Sequence, residues 1–258
     1  MTPSSQDAPA AVDMHCHLSE CGGYRSAEAD ALILAVTNDP RSWRALHKQD
    51  RQPNVTWSLG LHPCIMSRTG AQLREMIASM KDSSAIGEVG LDYSDRSRST
   101  PLEQRRILDN ILSQPEAKDR VVTLHSLRAT GDVVAAIATH ELRGAILHWF
   151  LGSPSEIDAA ISAGAYFSVN AAMAQSRLGR RVLAEIPPNR ALTETDAPFA
   201  RVGRSVARPG HVADIETYLA QLWDVDLEEV RHRLWSNLDA LQGRLSVAPF
   251  DITRKKHG

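Results

Sequence analysis

The chain has 258 residues, with 29 basic and 31 acidic side chains and a formal charge of −2. Apolar residues make up 43% and charged residues 23%, which excludes wholesale disorder and supplies a sizeable core. No apolar run approaches the roughly 18 residues that span a bilayer, and no basic-then-apolar leader opens the chain.

A soluble, cytoplasmic protein without membrane contact is therefore expected. Cys16, Cys21 and Cys64 lack paired CxxC spacing, which suits a reducing compartment. Of the 29 basic residues, 24 are Arg. The planar guanidinium matches phosphate oxygens, but genomic base composition produces the same bias, so composition alone names no partner.

Residues 1–10 are small, polar and proline-bearing and read as a loose leader, and 248–258, ending RKKHG, read as a frayed tail. Between them, 11–247 shows no change of composition and reads as one domain. Short apolar runs at 11–16, 31–37, 55–61, 85–91, 121–125, 144–150, 165–170 and 191–195 are predicted strands. Amphipathic stretches at 71–80, 102–112, 130–140, 155–163 and 178–186 lie between several of them, and 212–223 and 227–245 follow the last. Ser153-Pro154-Ser155-Glu156 carries the signature of a helix start. Eight strands alternating with helices predict an α/β fold, a single (β/α)8 TIM barrel, rather than an open doubly wound sheet. No GxGxxG fingerprint follows the first strand.

The unusual polar residues cluster at the ends of these strands. His15 and His17 close the first (VDMHCHL), and His62 follows the third (LGLHP). Glu88 and Asp92 lie on the fourth (IGEVGLDY), His125 ends the fifth (VVTLHS), and His148 is near the end of the sixth (AILHWF). Glu194 and Asp196 end the eighth (LTETDAPF). Residues two apart share a face, so His15 and His17 are expected to point inward with Cys16 outward, and Glu88 to share a face with Asp92, and Glu194 with Asp196. The C-terminal strand ends of such a barrel surround one mouth. Imidazoles and carboxylates gathered there make a nitrogen–oxygen donor set for a divalent cation. Any one of these histidines alone reads more readily as a hydrogen-bonded core residue. His47, His140, His232 and His257 read as solvated, His211 as a helix-start residue, and Cys21 and Cys64 as packing.

Taken together, MHCHL, GLHP, GEVGLDY, LHS, LHWFLGS and TETDAPF resemble the TatD family of metal-dependent hydrolases, in order from about residue 12 to WSNLDAL at Asn237. ILHWFLGS, FSVNAAM and LTETDAPF further resemble the QatD-like nucleases that accompany anti-phage defence operons. The resemblance implies two divalent ions (Mg2+, Mn2+ or Zn2+). His15, His17 and Asp196 would hold one, Glu88 would bridge, and His125 and His148 would complete the second. His62 would line the pocket and meet the substrate phosphate or order the site, while Asp92 and Glu194 would steady ligand imidazoles. Two departures stand out. Leu127 occupies the place of a usual arginine, with Arg128 next to it, and the loop SDRSRST is short and arginine-rich.

The expected activity is phosphodiester hydrolysis by a 3′-5′ exonuclease acting on DNA ends or single strands, with Asp196 or Glu88 taking the water's proton. Arg128 and Arg204, with Arg96, Arg98, Arg201 and Arg208, are expected near flanking phosphates, and Trp149 and Phe150 offer either a stacking surface or core packing. The same barrel suits two other roles: a metal-dependent deacylase or amidohydrolase, and a subunit acting mainly through other proteins of a defence operon.

Overall fold

The computed structural model describes residues 9–22, 31–49, 52–66, 70–97 and 99–250. Among them, eight parallel strands alternate with helices: β1 (Ala11–Cys16), β2 (Ala31–Val36), β3 (Val55–Ser58), β4 (Ala85–Asp92), β5 (Val121–Leu127), β6 (Gly144–His148), β7 (Tyr166–Val169) and β8 (Ala191–Thr193). β1 to β3 and β4 to β8 pair in sequence order, and two seams close the ring. At β3/β4, Leu59 N donates to Ala85 O (3.0 Å) and Gly87 N donates to Leu59 O (2.7 Å). At β8/β1, Asp196 N donates to His15 O (2.9 Å) and His17 N donates to Ala197 O (2.8 Å). The first seam depends on Gly60: a Cβ there would sit 1.7 Å from the Thr37 carbonyl oxygen and 2.7 Å from Glu88 N, a backbone approach that only glycine permits.

Around the barrel lie α1 (Pro40–Gln49), α2 (Ala71–Met80), α3 (Pro101–Leu112), α4 (Pro115–Lys118), α5 (Thr130–Thr139), α6 (Pro154–Ser162), α7 (Ala171–Gln175), α8 (Arg177–Glu185), α9 (Ala213–Trp223) and α10 (Leu227–Gln242). α3 and α6 start at full capping boxes, Thr100 with Glu103 and Ser153 with Glu156, each with proline in the first turn. Among the described residues, no helix is long and apolar enough to cross a membrane.

The barrel interior is graded from apolar to polar. Its floor is a buried cluster of Val12, Met14, Leu32, Leu34, Val121, Ile146, Tyr166 and Leu192, sealed from below by Trp235, Leu238 and Leu241 of α10. Moving up two residues at a time, Val121 leads to Thr123 and His125, Ile146 to His148, Tyr166 to Ser168, and Leu192 to Glu194. Each inward face thus ends in a polar group at the mouth.

The structure departs from the sequence expectations in several places, the short α4 among them. α1 is mostly polar and is not among the expected helices; Asp39 caps it by accepting from Arg41 N (2.9 Å) and Ser42 N (3.1 Å), and Trp43 anchors it by donating to Trp57 O (3.1 Å). α7 is a single short segment between β7 and α8, too brief to show a period. A two-stranded hairpin, β9 (Arg201–Val202) with β10 (Ser205–Val206), follows β8. The ends are also better packed than their composition suggests. Trp235 donates to Ala10 O (2.6 Å), Thr56 Oγ1 donates to Pro249 O (2.5 Å), and Phe250 is buried in the floor cluster. The rest of both ends, residues 1–8 and 251–258, lies outside the described residues.

Candidate metal centre at the barrel mouth

Two irregularities place the donors. Between Asp13 and Cys16 the β1/β2 register shifts, so that Met14 joins the floor while His15 faces the mouth. Strict alternation from His15 would have sent Asp13 inward. Instead the buried Asp13 accepts from Thr195 N (2.8 Å), Thr195 Oγ1 (2.7 Å) and Gly210 N (2.9 Å), tying β1 to the segment after β8. A second shift, between Ile86 and Val89 on β4, turns Glu88 into the same space. Gly90 lets this strand approach β5, since a Cβ there would lie 2.1 Å from the His125 carbonyl oxygen. His17 and Asp196 lie just beyond β1 and β8 rather than on them, as does Glu194, and His125 lies two residues before the end of β5.

These elements bring seven predicted residues around one point. His15 Nε2 and His17 Nε2 lie 3.4 Å apart, at 3.5 and 3.3 Å from Glu88 Oε2 and at 3.9 and 3.5 Å from Asp196 Oδ1. His125 Nδ1 is 2.7 Å from Glu88 Oε1, which also has His62 Nε2 at 3.4 Å and His148 Nε2 at 3.8 Å. Three donor groups result: His15 with His17 and Asp196, His15 with Glu88 and His148, and His62 with Glu88 and His125. Behind them, Asp92 Oδ2 lies 3.1 Å from His125 Nε2. Glu194 takes His148 Nδ1 at 3.0 Å and accepts from Asn170 Nδ2 (2.8 Å) and the Ser168 hydroxyl. The sequence does not point directly to Thr123, Ser168, Asn170 or Gln104. Thr123, hydrogen-bonded to His15 Nδ1 at 2.8 Å, was findable as the residue two before His125 on the same face. Gln104 donates to Asp92 O from α3 (2.7 Å), and no local pattern points to it.

The donors fit a divalent cation. The His15, His17, Glu88 and Asp196 atoms stand 3.3–3.9 Å apart, longer than the 2.7–2.9 Å of a good charged hydrogen bond; they surround a common gap more than they satisfy one another. Buried His17 Nδ1 has no hydrogen-bond partner among the described residues. The protonation pattern agrees. Burial disfavours every charge here, yet His62, His15 and His125 hold the Glu88 carboxyl well below its usual range. Against the same burial, Asp196 and Glu88 raise His17 to about 10, Asp92 and Glu88 raise His125 to about 9, and Glu194 raises His148 to about 9. Burial and the neighbouring His148 push His15 down to about 3. Protons on the imidazoles offset the carboxylates, the task a bound cation performs in their place.

The centre opens into a cavity of about 830 Å³. Arg96 and Arg128 line it, the latter with a left-handed backbone (φ 54°), alongside Leu127, Trp149, Leu178 and Phe199. Arg201, Arg204 and Arg208 do not line the cavity: Arg201 and Arg204 project from the β9–β10 hairpin, and Arg208 follows it. Arg98 lies outside the described residues. Phe150 is fully buried against Phe167 and belongs to the core. His211 is exposed before α9, and His47, His140 and His232 sit elsewhere against Trp43, Asp109 and Glu228. Cys64 lines the cavity and donates to Asp92 Oδ2 at 3.2 Å; burial and that carboxylate push its thiol up to about 12, so it stays protonated.

The family model described as TatD related DNase matches residues 12–243. The chain belongs to this family. A 3′-5′ ssDNA/RNA exonuclease TatD of Edwardsiella piscicida is 33% identical over 185 residues, covering 68% of this chain and 70% of that protein. A protein of the same description from Shigella flexneri is 30% identical over 223 residues, covering 83% of each. The crystal structure of a TatD homologue from Escherichia coli K12 superposes with a TM-score of 0.77 at 25% identity, covering 90% of this chain and 97% of that one. A TatD family hydrolase of Entamoeba histolytica shares the fold at 17% identity, with a TM-score of 0.73 over 91% of this chain and 98% of that one. The protein is thus a TatD-family hydrolase on an α/β barrel, with buried His, Glu and Asp clusters suited to a divalent metal.

Proposed function

We propose that this TatD-family member removes nucleotides from the 3′ end of single-stranded DNA, with two divalent cations at the barrel mouth. The observation that carries this reading is Glu88, whose carboxylate is shared by two donor groups, one with His15 and His148 and one with His62 and His125. The exonuclease description of the Edwardsiella piscicida relative supports the substrate class. Bound there, the cations would polarise the scissile phosphate and acidify a water molecule.

The chain's own residues do the rest. His15, His17 and Asp196 would hold one position and His125 and His148, each grouped with Glu88, would serve the other. Asp196 is the better proton acceptor of the two carboxylates. Its nearest cationic partner is His17 at 3.5 Å, whereas Glu88 is committed to His125 at 2.7 Å. His62, on the cavity wall, orders Glu88 and faces the substrate. Arg128 takes the phosphate contact that Leu127 cannot make. The apolar cavity walls favour an unpaired base over a closed duplex. The QatD-like spelling of ILHWFLGS, FSVNAAM and LTETDAPF supports a cytoplasmic role in anti-phage defence beside other proteins of the operon.

The direct test is end-labelled single-stranded DNA with Mg2+ or Mn2+. Progressive shortening from the 3′ end, stopped by EDTA and slowed about 10²–10⁴-fold by Asp196→Asn, is the expected outcome. No metal-dependent shortening of any DNA or RNA would refute the proposal.

A further inference from the structure

Six of the described arginines meet an acid. Arg41 and Arg44 share Glu75, Arg105 pairs with Asp132, Arg143 with Asp119, Arg231 with Glu216 and Arg233 with Glu229. One face differs. Arg177, Arg180 and Arg181 on α8, with Arg201, Arg204 and Arg208 on and after the β9–β10 hairpin, are all exposed, and among the described residues none has a carboxylate partner. The hairpin is fastened beside the start of α8, since Gly203 N donates to Gln175 Oε1 at 3.0 Å. The start of α8, beside Leu178, and the hairpin, two residues beyond Phe199, therefore adjoin at one side of the mouth.

Two of the six serve the fold, Arg180 Nη1 donating to Ala174 O and Arg201 Nη1 to Arg204 O, each at 3.2 Å, but no acid balances the charge. Arg177 opens α8 and no acid lies in its first turn, although a helix N-terminus favours anions. Residues three and four apart are neighbours on a helix, so Arg177 repels Arg180 and Arg181. The concentration also stands against a net charge of −2 for the whole chain, which makes it local. Apolar surface joins it to the metal centre: Leu178 is 51% and Phe199 58% exposed, both line the cavity, and the Phe199 ring meets His17 edge-on at 4.8 Å.

We propose that a single-stranded nucleic acid whose end occupies the mouth continues across this face, its first base against Phe199 and its following phosphates on the α8 and hairpin arginines. The inference rests on the phosphodiester reading above and adds a strand path outside the cavity. A polyanion with exposed bases matches both features of the surface, since phosphates seek unpaired guanidinium groups and bases seek an exposed ring.

The test is fluorescence anisotropy of a labelled oligothymidylate of about 20 nucleotides, measured in EDTA so that no turnover occurs. The variant R177Q/R180Q/R181Q should bind at least about tenfold more weakly at 0.1 M salt, with the slope of log affinity against log salt reduced by about 2, at roughly 0.7 per lost phosphate contact. R201Q/R208Q should shift both quantities in the same direction, which excludes a local defect in α8. With Mn2+, the ratio of kcat/KM for this strand to that for a dinucleotide should fall at least about tenfold in the triple variant. Binding by both variants within twofold of the parent, with an unchanged salt slope, overturns the strand path. A protein that cleaves no phosphodiester refutes the catalytic reading instead, and the anisotropy result then judges the surface by itself.

Discussion

Glu194 offers the sharpest check on how the centre is organised. It is 1% exposed and accepts from three directions: His148 Nδ1 at 3.0 Å, Asn170 Nδ2 at 2.8 Å and the Ser168 hydroxyl. It lies in none of the three donor groups; its role is to leave His148 Nε2 facing Glu88. Glu194→Gln keeps the shape and one acceptor oxygen but removes the charge and confronts the neighbouring donors with an amide. Loss of such a supporting carboxylate typically weakens metal affinity about 10–100-fold, which corresponds to about 1.4–2.7 kcal/mol. Glu194→Ala leaves three buried donors without their acceptor, at about 1–3 kcal/mol each, so it should also lower the melting temperature sharply. Mn2+ affinity by calorimetry, beside thermal unfolding in EDTA, separates the two effects. If Glu194→Gln bound Mn2+ as tightly as the parent, Glu194 would be packing only and the account of His148 would be wrong.

Three further outcomes follow. In the metal-free protein His17, His125 and His148 are raised to about 10, 9 and 9 from 6.5. Between pH 6.5 and about 9 the folded state therefore holds more protons than the unfolded one, so stability falls with rising pH across that window. Metal binding, which needs those imidazoles neutral, should strengthen over the same window and release protons. Melting scans in EDTA and in Mn2+ from pH 6.5 to 9.5 check both, and a melting temperature in EDTA that climbs with pH contradicts the charge pattern described. Gly60→Ala would force a Cβ to within 1.7 Å of the Thr37 carbonyl; it should open the β3/β4 seam and cost more than about 3 kcal/mol. Urea unfolding measures that cost, and a value below about 1 kcal/mol would mean that the seam gives way freely.

The site was largely legible in the sequence because its donors obey a local rule. His125, His148 and Glu194 stand an even number of residues above Val121, Ile146 and Leu192, so period-two alternation carries the inward face from floor to mouth. The rule fails at β1 and β4, where a register shift inserts an extra residue. Parity still pairs His15 with His17 and Glu88 with Asp92 above each shift, but it misplaces Asp13 below it. Helices that open at capping boxes were readable, whereas α1, mostly polar and held by one tryptophan and one aspartate, was not. The tail is polar in composition, yet Phe250 packs into the floor, its N–H donates to Gln242 Oε1 (3.0 Å) and Thr56 Oγ1 donates to Pro249 O, so its start is held.

The order and type of the metal-binding side chains, and the barrel that gathers them, were written in the sequence, since both depend on spacing along the chain. Partnership was not. Which acid holds which histidine, which arginines are neutralised and which are left bare, and whether an aromatic ring faces solvent or packing all depend on groups brought together from distant segments. Those energies fall off within a few ångströms, so only the folded arrangement sets them.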